Sequence, residues 1–265
     1  MFKNIFTKTL YEKRWVMLFW ALGIAAMTLL TLSFYPSFRE GGFDDALKTL
    51  PKSLQAITGN LQSLKSVSGY IAQQLFALRV PLLGLIMGIS LFTSLLAGDE
   101  NEGTLQALLT QPVSRSRVFI QKYLAGALIS FVVCAGAIVG VLLALSIIHE
   151  SFSFGLLLEA TVGAWLLVLL FGTIGYALGA ITGKRGAAGG MTGLLAFGGY
   201  LINSLTPNVP SLESIDKILP FHYYNNPPTA VSGLNAQNVI VTLGTITILL
   251  LISGLVFSRR DIYQR

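Results

Sequence analysis

The sequence predicts an all-α integral membrane fold with six transmembrane helices and an N-terminal interfacial helix. Two observations lead there. The chain is 53% hydrophobic and only 11% charged, whereas a soluble domain carries about 25% charged residues. Its charges are also spaced so that six stretches of about 20 residues carry almost none. A chain of 265 residues with a mean hydropathy of +0.69 cannot hide its apolar surface in one core. It needs lipid as solvent.

The whole chain, 1–265, reads as one transmembrane domain. A charge at the centre of a membrane helix costs roughly 2.5–3.5 kcal/mol on insertion scales, so charge-poor runs mark the spans. They are 15–38, 76–98, 123–148, 154–183, 186–205 and 239–258. The first exceeds the roughly 7–15 apolar residues of a secretion signal and reads as retained. Ahead of it, Phe2, Ile5, Phe6 and Leu10 follow helical spacing, with Lys3 and Lys8 on the other side. Residues 1–14 therefore predict an amphipathic helix on the membrane surface.

Charge placement sets the orientation. Six spans put both termini on one side. That side holds Lys3, Lys8, Lys13, Arg14, Arg115, Arg117, Lys122, Lys184, Arg185, Arg259, Arg260 and Arg265. The other holds Arg39, Lys48, Lys52, Lys65, Arg79 and Lys217. The positive-inside rule makes the first side cytoplasmic. The net charge of +6 thus follows topology, and dispersed bases of this kind do not point to nucleic acid.

Small residues recur at four-residue spacing, which places them on one helix face. Gly84 and Gly88, Gly136 and Gly140, and Gly189 and Gly193 form pairs, and Gly175, Gly179 and Gly183 form a triple. Such faces let backbones approach closely. The triple in the fourth span is read as a packing face.

The loop from Asp99 to Lys122 is the most informative stretch. Leu105, Leu108 and Leu109 sit at i, i+3 and i+4, one apolar face of a short helix. Pro112 ends it, because the residue before a proline avoids helical geometry. Asp99, Glu100 and Glu102 lie at its start, where the helix dipole favours acid. Such a helix seats either in a groove on a partner or on its own bundle.

This loop carries a resemblance. Asp99-Glu100-Asn101-Glu102-Gly103-Thr104-Leu105, followed by Pro112-Val113-Ser114-Arg115, is similar to the permeases of the type-2 ABC exporter family. Arg259-Arg260-Asp261-Ile262 and the span order fit as well. The resemblance covers essentially the whole chain. It implies a cytoplasmic coupling helix formed by Asp99, Glu100, Glu102, Gly103, Thr104, Leu105, Leu108, Leu109, Pro112 and Arg115. It also implies an outer re-entrant segment before the last span. It implies a second permease copy, identical or related, and a separate nucleotide-binding ATPase subunit that holds the ATP and Mg. The expected location is the plasma membrane, and the expected cargo an amphipathic drug, lipid or peptide moved outward. The first acid here is Asp99 where Glu is more usual, and the outer loop from about Pro36 to Gln74 is long.

The segment Thr206 to Gln237 suits the re-entrant reading. Pro207, Pro210, Pro220, Pro227 and Pro228 forbid one continuous helix through it.

No catalytic constellation is legible. A phosphate-binding loop needs Gly, four residues, then Gly-Lys-Ser/Thr. Around Gly183-Lys184, Leu178 stands where the first glycine belongs and Arg185 where the hydroxyl belongs. His149 and His222 are far apart, Cys134 is the sole cysteine, and no metal site is expected. Arg79 and Glu159 lie near the outer ends of their spans. They are read either as an intramembrane ion pair or as separate groups snorkelling to headgroups. A membrane enzyme and a non-transporting scaffold or sensor remain as alternatives.

Overall fold

The computed structural model describes residues 4–40, 63–110, 113–207, 209–225 and 228–260. Every long element is a helix: α1 (Ile5–Ser33), α2 (Tyr35–Glu40), α3 (Val67–Asn101), α4 (Thr104–Leu109), α5 (Arg115–Ile148), α6 (Phe154–Thr182) and α7 (Arg185–Leu205). Short helices α8 (Glu213–Asp216), α9 (Pro220–Asn225) and α10 (Thr229–Ser232) follow, and α11 (Ala236–Arg259) completes the bundle.

Expected boundaries move, among them the start of the second span, whose helix begins at Val67 rather than 76, and two further shifts have a local cause. The segment 5–14 and the first span form one uninterrupted helix, α1. No Pro or Gly lies between residues 5 and 22 to break it, and Asn4 caps its start by accepting from the Phe6 amide at 3.1 Å. Phe2 and Lys3 lie outside the described residues. Likewise α5 begins at Arg115 rather than 123, because Ser114 caps it there. Its 34 residues extend about 51 Å, well past a hydrocarbon core of about 30 Å.

Among the described residues, five helices are long and apolar enough to cross a membrane: the one running from Ile5 to Arg39, then α3, α5, α6 and α11. The sequence reading counts six. Helix α7 has 21 residues and so the length, but glycine, Arg185 and Asn203 dilute its apolar content.

Glycine seams set the packing. On α5, a Cβ at Gly136 would lie 2.4 Å from the Ala21 carbonyl oxygen, and one at Gly140 2.1 Å from that of Ala25. The α1 backbone therefore rests directly on α5. On α3, Gly84 and Gly88 receive Val168 of α6 at 2.7 and 2.6 Å from their ideal Cβ positions. Gly175 and Gly179 of α6 face Thr93 and Ala97 of α3. The third member of that triple, Gly183, does different work, described below. Gly193 on α7 has open space around it.

Helix α3 contains a π-helical stretch, Ile71–Arg79, in which the Val80 amide bonds back to the Leu75 carbonyl. The next amide in that register would belong to residue 81, which is proline and has none. The carbonyl so released, that of Phe76, accepts a hydrogen bond from the buried Tyr224 hydroxyl. The proline-rich segment is thus broken into short turns, and it seats α9 against the bundle. Phe221 stacks on Phe171 at 5.6 Å and on Tyr200 at 5.8 Å. Asp216, buried, accepts from Asn203 at 2.8 Å and lies 2.7 Å from His222 Nδ1.

Replacing Gly140 with Leu is expected to force α1 off α5 and to destabilise the protein by about 1–3 kcal/mol. Gly190→Ala, with nothing within 4 Å of its ideal Cβ, serves as the neutral control. Thermal unfolding of the two variants in detergent checks this.

Candidate functional site: the inner-loop junction

Arg115, Lys122, Arg185 and Arg260 gather at one end of the bundle, around the stretch that joins α3 to α5. The loop is built from a second π-helical turn, Ser94–Gly98, continued by Asp99–Asn101. Gly103 then reverses the chain at φ 74, a left-handed conformation that glycine adopts without a steric penalty. Helix α4 starts immediately afterwards, and Thr104 Oγ1 donates back to the Asp99 carbonyl at 3.1 Å.

Two of the three acids, Asp99 and Glu100, are committed to bases within the chain. Asp99 pairs with Lys122 of α5, whose side chain is 5% exposed. Lys122 Nζ also donates to the Leu95 carbonyl at 2.7 Å, a group in the π turn. Glu100 pairs with Arg260, just past the end of α11. Arg260 also donates to the Ile181 carbonyl at 3.3 Å, at the end of α6. Arg115, from the first turn of α5, donates to the Arg260 carbonyl at 2.6 Å. The ends of α3, α5, α6 and α11 are therefore tied at one point.

Gly183 is the steric centre of this knot. It caps α6 at φ 66, and a Cβ there would lie 2.6 Å from Arg260 Nη1 and 2.8 Å from Glu100 Oε1. The Asn101 amide, with its nitrogen turned toward them, donates to the Gly183 carbonyl at 2.9 Å and to that of Ala97 at 3.2 Å. Arg260 Nε is buried with no hydrogen-bond partner. A buried donor of this kind weakens the knot relative to a fully satisfied one.

Above the junction lies an aromatic platform. Phe92, Phe119, Tyr123, Tyr176 and Phe257 meet with ring centroids 5.0–6.2 Å apart. Tyr176 donates to the Phe119 carbonyl at 2.6 Å, and Tyr123 bonds Thr173 at 2.8 Å. These packed rings lie between the loop and the rest of the bundle.

The apolar face of α4 turns inward. Leu105 is fully buried and Leu108 half-buried against the core. The exposed edge is polar: Asn101, Glu102, Gly103 and Thr104. The leucines thus seat on the chain's own bundle. Pro112 and the Leu109 side chain lie outside the described residues.

Arg79 and Glu159 do not pair with each other. Arg79 donates to the carbonyl and side-chain oxygens of Gln74, one turn back on α3. Glu159 accepts from the Leu234 amide at 2.7 Å and sits against Gly233, whose φ is 81. The π turn keeps Arg79 close to its own helix, while Glu159 anchors the entry to α11.

Of the residues named from sequence, Asp99, Glu100, Gly183 and Arg115 come together. The sequence reading missed Lys122 and Arg260 as their partners. The only available signal was an excess of bases flanking the same loop, which fits membrane orientation equally well. A cavity of about 150 Å³ opens beside the junction, lined by Lys13, Trp20, Ser90, Asp99, Glu102 and Arg185 among others. Among the described residues no cluster of His, Cys, Asp and Glu could hold a metal ion.

An all-helical bundle with five membrane-length helices among the described residues is the architecture of a multi-pass membrane protein. Residues 3–262 match the family described as ABC-2 family transporter protein, and the chain belongs to that family. No curated protein matches it.

A double-mutant cycle tests the central tie. Asp99→Asn and Lys122→Met are each expected to lower the unfolding temperature, with a coupling energy of about 0.5–3 kcal/mol between them. Strict additivity in thermal unfolding would show that the pair carries no energy.

Proposed function

We propose that the chain is the permease of an ATP-driven exporter, working as a pair of permeases with a separate ATPase subunit that binds ATP and Mg. One observation carries this beyond family membership: among its described residues the inner loop exposes a polar edge, Asn101 to Thr104, and is tied to four helix ends. A force applied to that edge reaches the whole bundle through Asp99–Lys122 and Glu100–Arg260. That is what coupling to an external motor demands. In this reading α7 is the fifth of six spans and α11 the sixth, the segment 206–237 is re-entrant from the outer side, and both termini lie in the cytoplasm of a cell-membrane protein.

The docking edge differs from the one the leucine spacing suggests. Glu102 and Thr104 face outward, and Leu105 cannot. Uncovered apolar faces on α1 and α7, where Trp15, Phe19, Leu194 and Phe197 are 62–74% exposed, leave room for a second permease as well as for lipid. The inner cavity, with its mixed charge and Trp20, suits an amphipathic cargo entering from the cytoplasmic side.

Purification of the tagged chain from its native host in mild detergent, with mass spectrometry of its companions, tests this. A nucleotide-binding subunit is expected to co-purify. It is expected to be lost in Glu102→Lys/Thr104→Glu while the thermal stability of the chain stays within about 0.5 kcal/mol of the wild type. Leu105→Asp is expected instead to unfold the inner end. If no ATPase accompanies the intact dimer, the exporter reading fails.

A further inference from the structure

We propose that the groove between α5 and α11 is a binding site for one anionic phospholipid of the leaflet at the basic end of the bundle. The two helices touch where Arg115 meets the Arg260 carbonyl and where Phe119 stacks on Phe257 at 5.7 Å. Beside these contacts a cavity of about 460 Å³ remains. It runs from Ser116 to Leu124 on one wall and from Ser258 up to Thr247 on the other. At 1.5 Å per residue these walls are about 12 and 16 Å long, close to the roughly 15 Å of one leaflet's hydrocarbon.

The groove has the polarity of a lipid. Ile120, Leu124, Leu251 and Leu255 make its walls apolar, and the two serines form a polar end. Each serine is followed by an exposed arginine, Arg117 and Arg259, and among the described residues neither has an ion-pair partner. An acyl chain fits the apolar length, and an anionic headgroup fits the arginines. A peptide segment or a second copy of this chain would not need the gradient from basic to apolar along one leaflet depth. Gly254 keeps the groove open. Its ideal Cβ lies 3.4 Å from the nearest Phe119 atom, an ordinary contact, so a side chain is tolerated there and its outer atoms enter the groove.

Native mass spectrometry of the full chain, offered equal amounts of phosphatidylglycerol and phosphatidylcholine in mild detergent, tests the site. One phosphatidylglycerol is expected to stay bound in preference. Removing the charge of Arg117 or of Arg259 (Arg→Gln) is expected to cut that preference about fivefold, and removing both about thirtyfold. Gly254→Leu is expected to abolish retention of both lipids while the protein stays monodisperse. Equal retention of the two lipids by the wild type would overturn the proposal. So would unchanged retention in a folded Gly254→Leu protein, or a change of oligomeric state in that variant with lipid binding intact, which would assign the groove to a second copy. These outcomes do not depend on an ATPase partner, so the site and the exporter reading can fail separately.

Discussion

Hydrocarbon offers no hydrogen-bond partner, so every polar group within the bundle must find one inside the protein. Most of the described architecture follows from that constraint. Long helices satisfy their own backbones. Threonine and serine side chains bond back to their own helices, as Thr28, Thr161 and Thr192 do at 2.8–2.9 Å. Trp165 donates across to the Ala127 carbonyl at 3.2 Å. Where Pro81 leaves a carbonyl unmatched, a tyrosine from 148 residues along the chain supplies the donor. The proline-rich segment is therefore bound to α3 by a specific polar need as well as by apolar contact.

The same constraint shapes the end of the bundle that carries Asp99 and Arg260. Helix termini there carry free carbonyls and a buried lysine that cannot be left alone. Asp99, Glu100, Lys122, Arg115 and Arg260 resolve these needs mutually. A buried ion pair of this kind is weak evidence for stability, because desolvation offsets much of its attraction. Its consequence here is geometric. Four helix ends are held in one register, with an aromatic platform beside them.

Glycine has two distinct uses in this chain. At Gly136 and Gly140 it removes side-chain volume so that α1 and α5 touch backbone to backbone. At Gly183 it supplies a left-handed cap and clears space for a guanidinium and a carboxylate. The four-residue spacing of Gly175, Gly179 and Gly183 reads as one packing face. In the fold its first two members pack against α3, while the third serves the ionic junction.

The sequence by itself determined the helical membrane architecture, because lipid imposes length and charge-free composition on every span, and those are local properties. It also marked the inner loop, through Gly103, the acids and the leucine spacing. Tertiary structure alone decided what those residues touch. Periodicity shows that Leu105 and Leu108 share a face, but not whether that face meets a partner or its own core. Charge counting places Lys122 and Arg260 beside the loop, but not in contact with Asp99 and Glu100, since those contacts join residues 23 and 160 positions apart. Arg79 and Glu159 are comparable in sequence terms, yet a π turn and a glycine corner gave each a different partner. Such pairings depend on helix register and rotation, which are set only when the helices pack.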